Sequence, residues 1–393
     1  MTQPRQQTRR PPQAPPLSTR ELNRATLARQ LLLGREHRDR RDAAEVVEHL
    51  VGLHSQLPGN PYTALWSRIE GFDPEEFSRR IERRELVRIS LQRSTLHTVT
   101  ARDCLALRPV LQAAQERLLT PAFGRRLAGA EPVEVAARAR ELVEERPLTF
   151  HELGALLAAQ WPGGDPQALA TVARQLLPLV QVPPRGLWRR GGAARHTTAE
   201  SWLGTGPAAD SAPDASDASD APDALVLRYL AAFGPASVKD AQTWSGLTRL
   251  TEVFRRLRPR LVVLRAEDGT ELYDLPDAPR PGADAPAPAR FLPDYDNLLV
   301  GHADRTRVVG AAARAAVWTG NAARPAFLTD GFVGGTWRLE TDTRRARATL
   351  LLRPLGPLPR AARAALEEEG AALLAFRVPG ADHELTWEAP WYG

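Results

Sequence analysis

Two polar side chains one residue apart, His54 and Gln56 in the run VGLHSQLPGN from Val51 to Asn60, are the pair in this chain best suited to joint chemistry. An imidazole that titrates near neutral pH can take a proton from water, or hydrogen-bond to it as the neutral ring. A carboxamide, with one acceptor and two donors, can orient that water. Spacing decides whether the two act together. Residues two apart point to nearly opposite sides of a helix but to the same side of an extended chain. The apolar spacing of DAAEVVEHLVGLH predicts a helix over residues 42–54. Pro58 then disfavours helix at Leu57, and Gly59 and Asn60 favour a turn, so the helix must end by about Ser55 for the pair to converge. On periodicity alone the same residues also read as a polar helix end, with His54 satisfied by a backbone carbonyl.

The rest of the residue inventory excludes more than it offers. Cys104 is the single cysteine among 393 residues, so neither an internal disulfide nor a cysteine-rich zinc site is expected, as fits a reducing cytosol. There is no HExxH run and no clustered His/Asp/Glu pattern, and neither a metal nor another cofactor is expected. Lys239 is the sole lysine, the other basic residues being arginine, which leaves one candidate for an amine nucleophile. A hydrophobic fraction of 43% is that of a globular protein, and no apolar run is long enough to span a bilayer. The N-terminus lacks an apolar signal core, so a cytoplasmic, nucleoid-associated protein with no membrane contact is expected. The net charge of +5 and the pI of 9.9 point towards nucleic acid. Much of that charge sits at one end: residues 1–41 hold ten arginines against Glu21, Glu36 and Asp39, and the remainder is slightly acidic.

The elements that must position His54 and Gln56 emerge as a repeat. The clearest unit spans residues 224–280. ALVLRYLAAFG is a helix stopped by Gly234 and Pro235, SVKDAQTWSG a second helix capped by Ser237, and TRLTEVFRRLR a third. LVVLRAEDGTELYDL then alternates like two strands around Asp268-Gly269. Three helices followed by a hairpin is a winged helix. Residues 101–204 repeat the plan, with a wing turning near Gly191-Gly192. A first copy over residues 18–100 opens on a capping box, Ser18 to Glu21, and closes on the strands of LVRISLQRSTLHTVT, where His97 reads as structural. Residues 1–17 read as a disordered Arg/Pro-rich tail and residues 205–223 as an acidic low-complexity linker. From residue 285 to 393 the pattern turns to strands interrupted by one helix, RAARAALEEEGAALLAF, and a β-rich, barrel-like domain is expected. The fold class is α+β. Trp244, Trp318 and Trp337 read as core.

The segments GLHSQLPGNPYTALWSRI, QRSTLHTVTARD, RYLAAFGPASVKDAQTWSGL, RFLPDYDNLLVGHADR and FLTDGFVGGTWR resemble, in this order, the winged-helix DNA glycosylases of the AlkZ/YcaQ type. The likeness runs from about Ser18 to the C-terminus. It implies a C-shaped body of three winged helices and a β-barrel around a channel for double-stranded DNA. It also implies a catalytic motif of two polar residues flanking one, usually Gln-x-Gln or Gln-x-Asp, which falls here on His54-Ser55-Gln56. His replaces the first Gln, and Ser stands where the family usually has an apolar residue.

The implied substrate is duplex DNA carrying alkylated purines. Some family members protect antibiotic producers from their own DNA-alkylating products. A bifunctional glycosylase needs an amine for a Schiff base. Lys239 has no site motif around it, so a monofunctional enzyme, acting as a monomer, is expected. DYDNLLVGHADRTR places Tyr295, Asn297, His302 and Arg305 around an expected hairpin that could probe the lesion, and Asn60 joins them as a candidate DNA contact. The rival reading is a non-catalytic winged-helix transcription regulator, which would bind selected sequences and release no base.

Overall fold

The computed structural model describes residues 15–119, 121–204 and 221–392. Most of the expected N-terminal tail, residues 1–14, and of the acidic linker, residues 205–220, lies outside the described residues. The first helix, Thr19–Arg29, begins at the expected capping box, with the Ser18 hydroxyl accepting from the Glu21 N–H and the Glu21 carboxylate accepting from the Ser18 N–H. It packs on the third unit and the C-terminal region. Arg29 pairs in the interior with Asp274 at 2.6 Å, and the Asn23 amide donates to the carbonyls of Arg307 and Gly331.

The helix expected over residues 42–54 is only Ala43–His49. Val51 (φ 56°) and Gly52 (φ 95°) turn the chain through left-handed conformations and end it early. At Gly52 the close approach requires glycine, since a Cβ would lie 2.7 Å from Val99 Cγ1. The chain leaves this turn as a strand. The break that presents His54 is therefore made by Val51-Gly52, ahead of Pro58.

That strand, β1 (Leu53–His54), is one edge of a six-stranded sheet built by two units. The first unit adds β2 (Leu86–Ser90) and β3 (Leu96–Thr100). The second supplies β4 (Leu148–Thr149), β5 (Leu179–Gln181) and β6 (Arg195–Thr198). The spatial order is β1-β3-β2-β5-β6-β4. Each unit contributes its strands in the same internal order, and the two meet antiparallel at Arg88↔Gln181 and Ile89↔Val180. The helices Pro132–Glu145, Phe150–Gln160 and Pro166–Leu176 pack a core around Val135, Leu157, Leu169 and Val172.

The third unit follows its expected order: helices Ala221–Phe233, Val238–Ser245 and Thr251–Leu257, then the antiparallel strands Val262–Arg265 and Glu271–Asp274. Trp244 is buried there with Tyr229 and Phe233. The C-terminal region departs from the expected barrel. Its sheet is open, running Arg290–Leu292, Ala326–Thr329, Phe332–Asp342, Arg347–Pro354 and Asp382–Trp387. The last two strands are parallel and joined by the helix Arg360–Arg377, which covers the sheet through Leu366, Leu373 and Leu374. A parallel crossover of this kind places its helix on a sheet face and does not bring the end strands together. Trp337 lies in this core, and Trp318 is partly buried. The hairpin expected after Arg290 is instead one strand and a short helix, Asn297–Val300, because the Asp296 side chain accepts from the Leu298 N–H and starts a helix there. Among the described residues no helix is long and apolar enough to cross a membrane, and no group of three or more His, Cys, Asp or Glu is placed to hold a metal ion.

Candidate functional site

β1 is an edge strand, so one side of its backbone needs partners from outside the sheet. Asn297 provides them. Its Oδ1 accepts from the His54 N–H at 3.1 Å, and its Nδ2 donates to the Gly52 carbonyl at 2.7 Å. On the other side His54 faces His97 of β3, and the Ser55 N–H extends the ladder to the Leu96 carbonyl at 2.8 Å. The strand ends at His54, and Gln56 follows after Ser55 in the bend. Gln56 is exposed at the turn, its Oε1 3.5 Å from the Leu96 N–H. Ser55 is fully buried with its Oγ unpartnered, and its carbonyl accepts from Arg88 Nη2 at 2.6 Å.

The His54 ring stacks on Tyr295 with centroids 5.0 Å apart, and meets His97 edge-on at 5.4 Å. Burial, with the Arg93 cation adding to it and Asp296 opposing, holds the imidazole down at about 4. At neutral pH the ring is therefore uncharged, and its buried Nδ1 has no hydrogen-bond partner. Such an atom inside a protein is costly unless water or a ligand satisfies it. His97 is satisfied by the Thr95 carbonyl at 2.9 Å, which suits its structural reading, yet it also forms part of the wall around His54.

Behind the cluster lies a buried ion pair. Arg68 grips Asp296 with both terminal nitrogens, at 2.8 and 2.9 Å, and donates to the carbonyls of Gln30 and Ala64. Fixing Asp296 fixes its neighbours Tyr295 and Asn297, which respectively stack on His54 and hold its strand. Tyr295 sits at φ 55°, a left-handed conformation that a bulky residue seldom adopts, and its hydroxyl donates to the Asn321 carbonyl at 3.1 Å.

Several expected DNA contacts are placed differently. Asn297 is buried and positions β1. The Asn60 amide, also buried, donates to the Asp294 carbonyl at 2.7 Å, tying the turn after Gln56 to the segment before Tyr295. His302 is directed into the core of the third unit, with Nε2 on the Phe233 carbonyl at 2.9 Å and its pKa pushed down to about 3, chiefly by burial. Arg305 is half-buried with its guanidinium 4.7 Å above the Trp318 ring. Sequence reasoning missed Arg93. It lies in the short connection between β2 and β3 at φ 54°, donates to the Trp244 carbonyl at 2.6 Å, and is held down at about 10 by burial and by Arg305. Its place between two strand-like runs that end near His97 was its only signal.

Comparison with known proteins adds an outside view of this site. A family model described as DNA glycosylase AlkZ-like matches residues 47–376, a span that holds His54, Gln56 and Tyr295. Among solved structures, the DNA glycosylase AlkZ of Streptomyces sahachiroi matches with a TM-score of 0.72, covering 95% of this chain and 100% of that one. At 20% sequence identity that likeness is one of fold. No curated protein sequence matches the chain.

Proposed function

The chain belongs to the AlkZ-like family of DNA glycosylases, and on that premise we propose that it hydrolyses the N-glycosidic bond of N7-alkylated, cationic purines in duplex DNA, leaving an intact abasic site. The observation that carries this reading is His54: a neutral, buried imidazole with an unpartnered Nδ1, two residues from an exposed carboxamide. An N7-alkylguanine already bears a positive charge and leaves as a neutral base, so no strong acid is needed. The protein must stabilise an oxocarbenium-like sugar and place water at C1′. A ring with a pKa near 4 is a weak proton acceptor at pH 7 and serves to orient that water together with Gln56.

Lys239, the only lysine, lines a separate cavity with Leu17, Glu267 and Asp304, where the third unit meets the first helix and the segment around Asp304. That placement supports the monofunctional reading. Arginines would hold the phosphates, with affinity falling steeply as salt rises. The family membership does not favour the regulator reading. Protection of a producing organism from a bulky DNA-alkylating product of its own is the biological role we propose.

The test is base release from a duplex carrying one N7-methylguanine, revealed by hot alkali. Wild type should release the base, and Gln56→Ala should release it at least about tenfold more slowly while still binding DNA. A borohydride-trapped covalent complex would sink the monofunctional assignment.

A further inference from the structure

Ser55, the residue between His54 and Gln56, is held on both sides. Its N–H, in the peptide from His54, donates to the Leu96 carbonyl at 2.8 Å. Its carbonyl, in the peptide to Gln56, accepts from Arg88 Nη2 at 2.6 Å. A peptide unit is planar, so a grip on the Ser55 carbonyl oxygen fixes the plane that carries the N–H and Cα of Gln56. Strand pairing has stopped by then, because Gln56 lies in the bend. The exposed carboxamide has one long contact of its own, Oε1 at 3.5 Å from the Leu96 N–H, so its place is set chiefly by its backbone.

Arg88 is an unexpected group behind that peptide. It is buried in the middle of β2, and among the described residues it makes no ion pair. Burial, with Arg185 adding to it, holds the guanidinium down at about 10, so it is charged at neutral pH. A buried cation without a counter-charge is costly, and an apolar side chain would serve packing alone at least as well. Its acceptors are neutral and come from both units. Beside the Ser55 carbonyl, Nη1 donates to Oε1 of Gln181 in β5, the residue opposite Arg88 in the ladder. Room for the side chain comes from Gly186, in the connection between β5 and β6. At φ 101° a Cβ there would lie 2.8 Å from Arg88 Cδ, and the Gly186 carbonyl accepts from the Tyr62 hydroxyl at 2.8 Å. The second unit thus shapes the slot from which Arg88 reaches the turn of the first.

We propose that Arg88 is a positioning residue for base release, setting the direction in which Gln56 leaves the sheet by holding the Ser55 carbonyl. This rests on the glycosylase reading. Arg88 takes no part in the bond changes and acts through Gln56, so its removal has little further effect once the carboxamide is gone.

The experiment is single-turnover base release with saturating full-length enzyme on the N7-methylguanine duplex, alongside DNA affinity and thermal melting. It compares wild type, Arg88→Met, Gln56→Ala and the double variant. R88M should slow release by about tenfold or more with DNA affinity unchanged. Added to Q56A, it should slow release by less than about twofold. A merely structural role would lower the melting temperature and leave the single-turnover rate of the folded enzyme as it was. Should R88M not fold, Arg88→Lys, which keeps the charge and reaches one acceptor instead of two, carries the same cycle. A rate equal to wild type would remove Arg88 from the reaction and leave the glycosylase standing. Equal losses in the wild-type and Q56A backgrounds, or a loss matched by weakened DNA binding, would also overturn the proposal. Absence of release by wild type would overturn the glycosylase reading and this inference with it.

Discussion

The first and second units build the same strand edge and finish it in opposite ways. In both, a two-residue strand pairs with the last strand of its hairpin, β1 with β3 and β4 with β6. In both, a buried histidine is held near 4, chiefly by burial: His54 in one and His196 in the other. In the second unit the strand runs straight into a helix. Thr149 accepts from the Glu152 N–H, Glu152 accepts from the Thr149 N–H, and Arg195 pairs with Glu152 at 2.9 Å. His196 lies flat against Phe150 at 4.1 Å. In the first unit Ser55 to Gly59 intervene, and the next helix, Asn60–Trp66, has no side-chain cap. A capping box satisfies the orphan N–H donors of the helix start locally, so the chain passes from strand to helix without a gap. Leaving it out costs local stability and leaves Gln56 exposed at the turn, with distant residues such as Asn297 supplying the support instead.

The largest test of this contrast is a pair of alanines. His54→Ala, which removes a group that orients the water, should slow base release by about 10²-fold, whereas His196→Ala should leave the rate within about twofold of wild type. Equal losses in both would erase the distinction between the units. Next in size is the distant support. Asp296→Ala strands the buried Arg68 guanidinium, and should lower unfolding stability by about 3–5 kcal/mol in denaturant titration. Replacing both partners with apolar residues should cost less than removing either one.

A pH series treats the two histidines alike and so sharpens the comparison. Both are neutral when folded and regain a pKa near 6.5 when unfolded, so the unfolded chain binds more protons between those values. Stability is full above about pH 6.5 and declines as pH falls towards 4, by on the order of 2–3 kcal/mol per histidine. Thermal melting from pH 7.5 to 5 should show the fall, and either alanine variant should make it shallower by that histidine's share. The smallest effect belongs to the cap itself: Thr149→Ala should cost about 1 kcal/mol and leave base release unchanged.

Much of the local structure was legible because it rests on neighbours in sequence. Ser18 and Glu21 marked the first helix, Asp268-Gly269 the third unit's hairpin, and the apolar spacing of RAARAALEEEGAALLAF the helix Arg360–Arg377. The helix ahead of His54 was read too long, because its apolar period continues through Val51 and Leu53 after the backbone has turned away at Gly52. Asp296 was read inside a hairpin, because a capping aspartate in a strand-like run looks like any other polar residue until its partner Arg68 is in view.

By itself the sequence determined that His54 and Gln56 lie between a helix and a turn, since Gly52 and Pro58 act within a few residues. Only the tertiary structure decided that His54 would be neutral, that Tyr295 would lie on it, and that Asn297 would hold its backbone from 243 residues away. It also decided that the first two units would share one sheet. Burial and long-range hydrogen bonds depend on which surfaces meet, and that is a property of the packed chain rather than of any stretch of it.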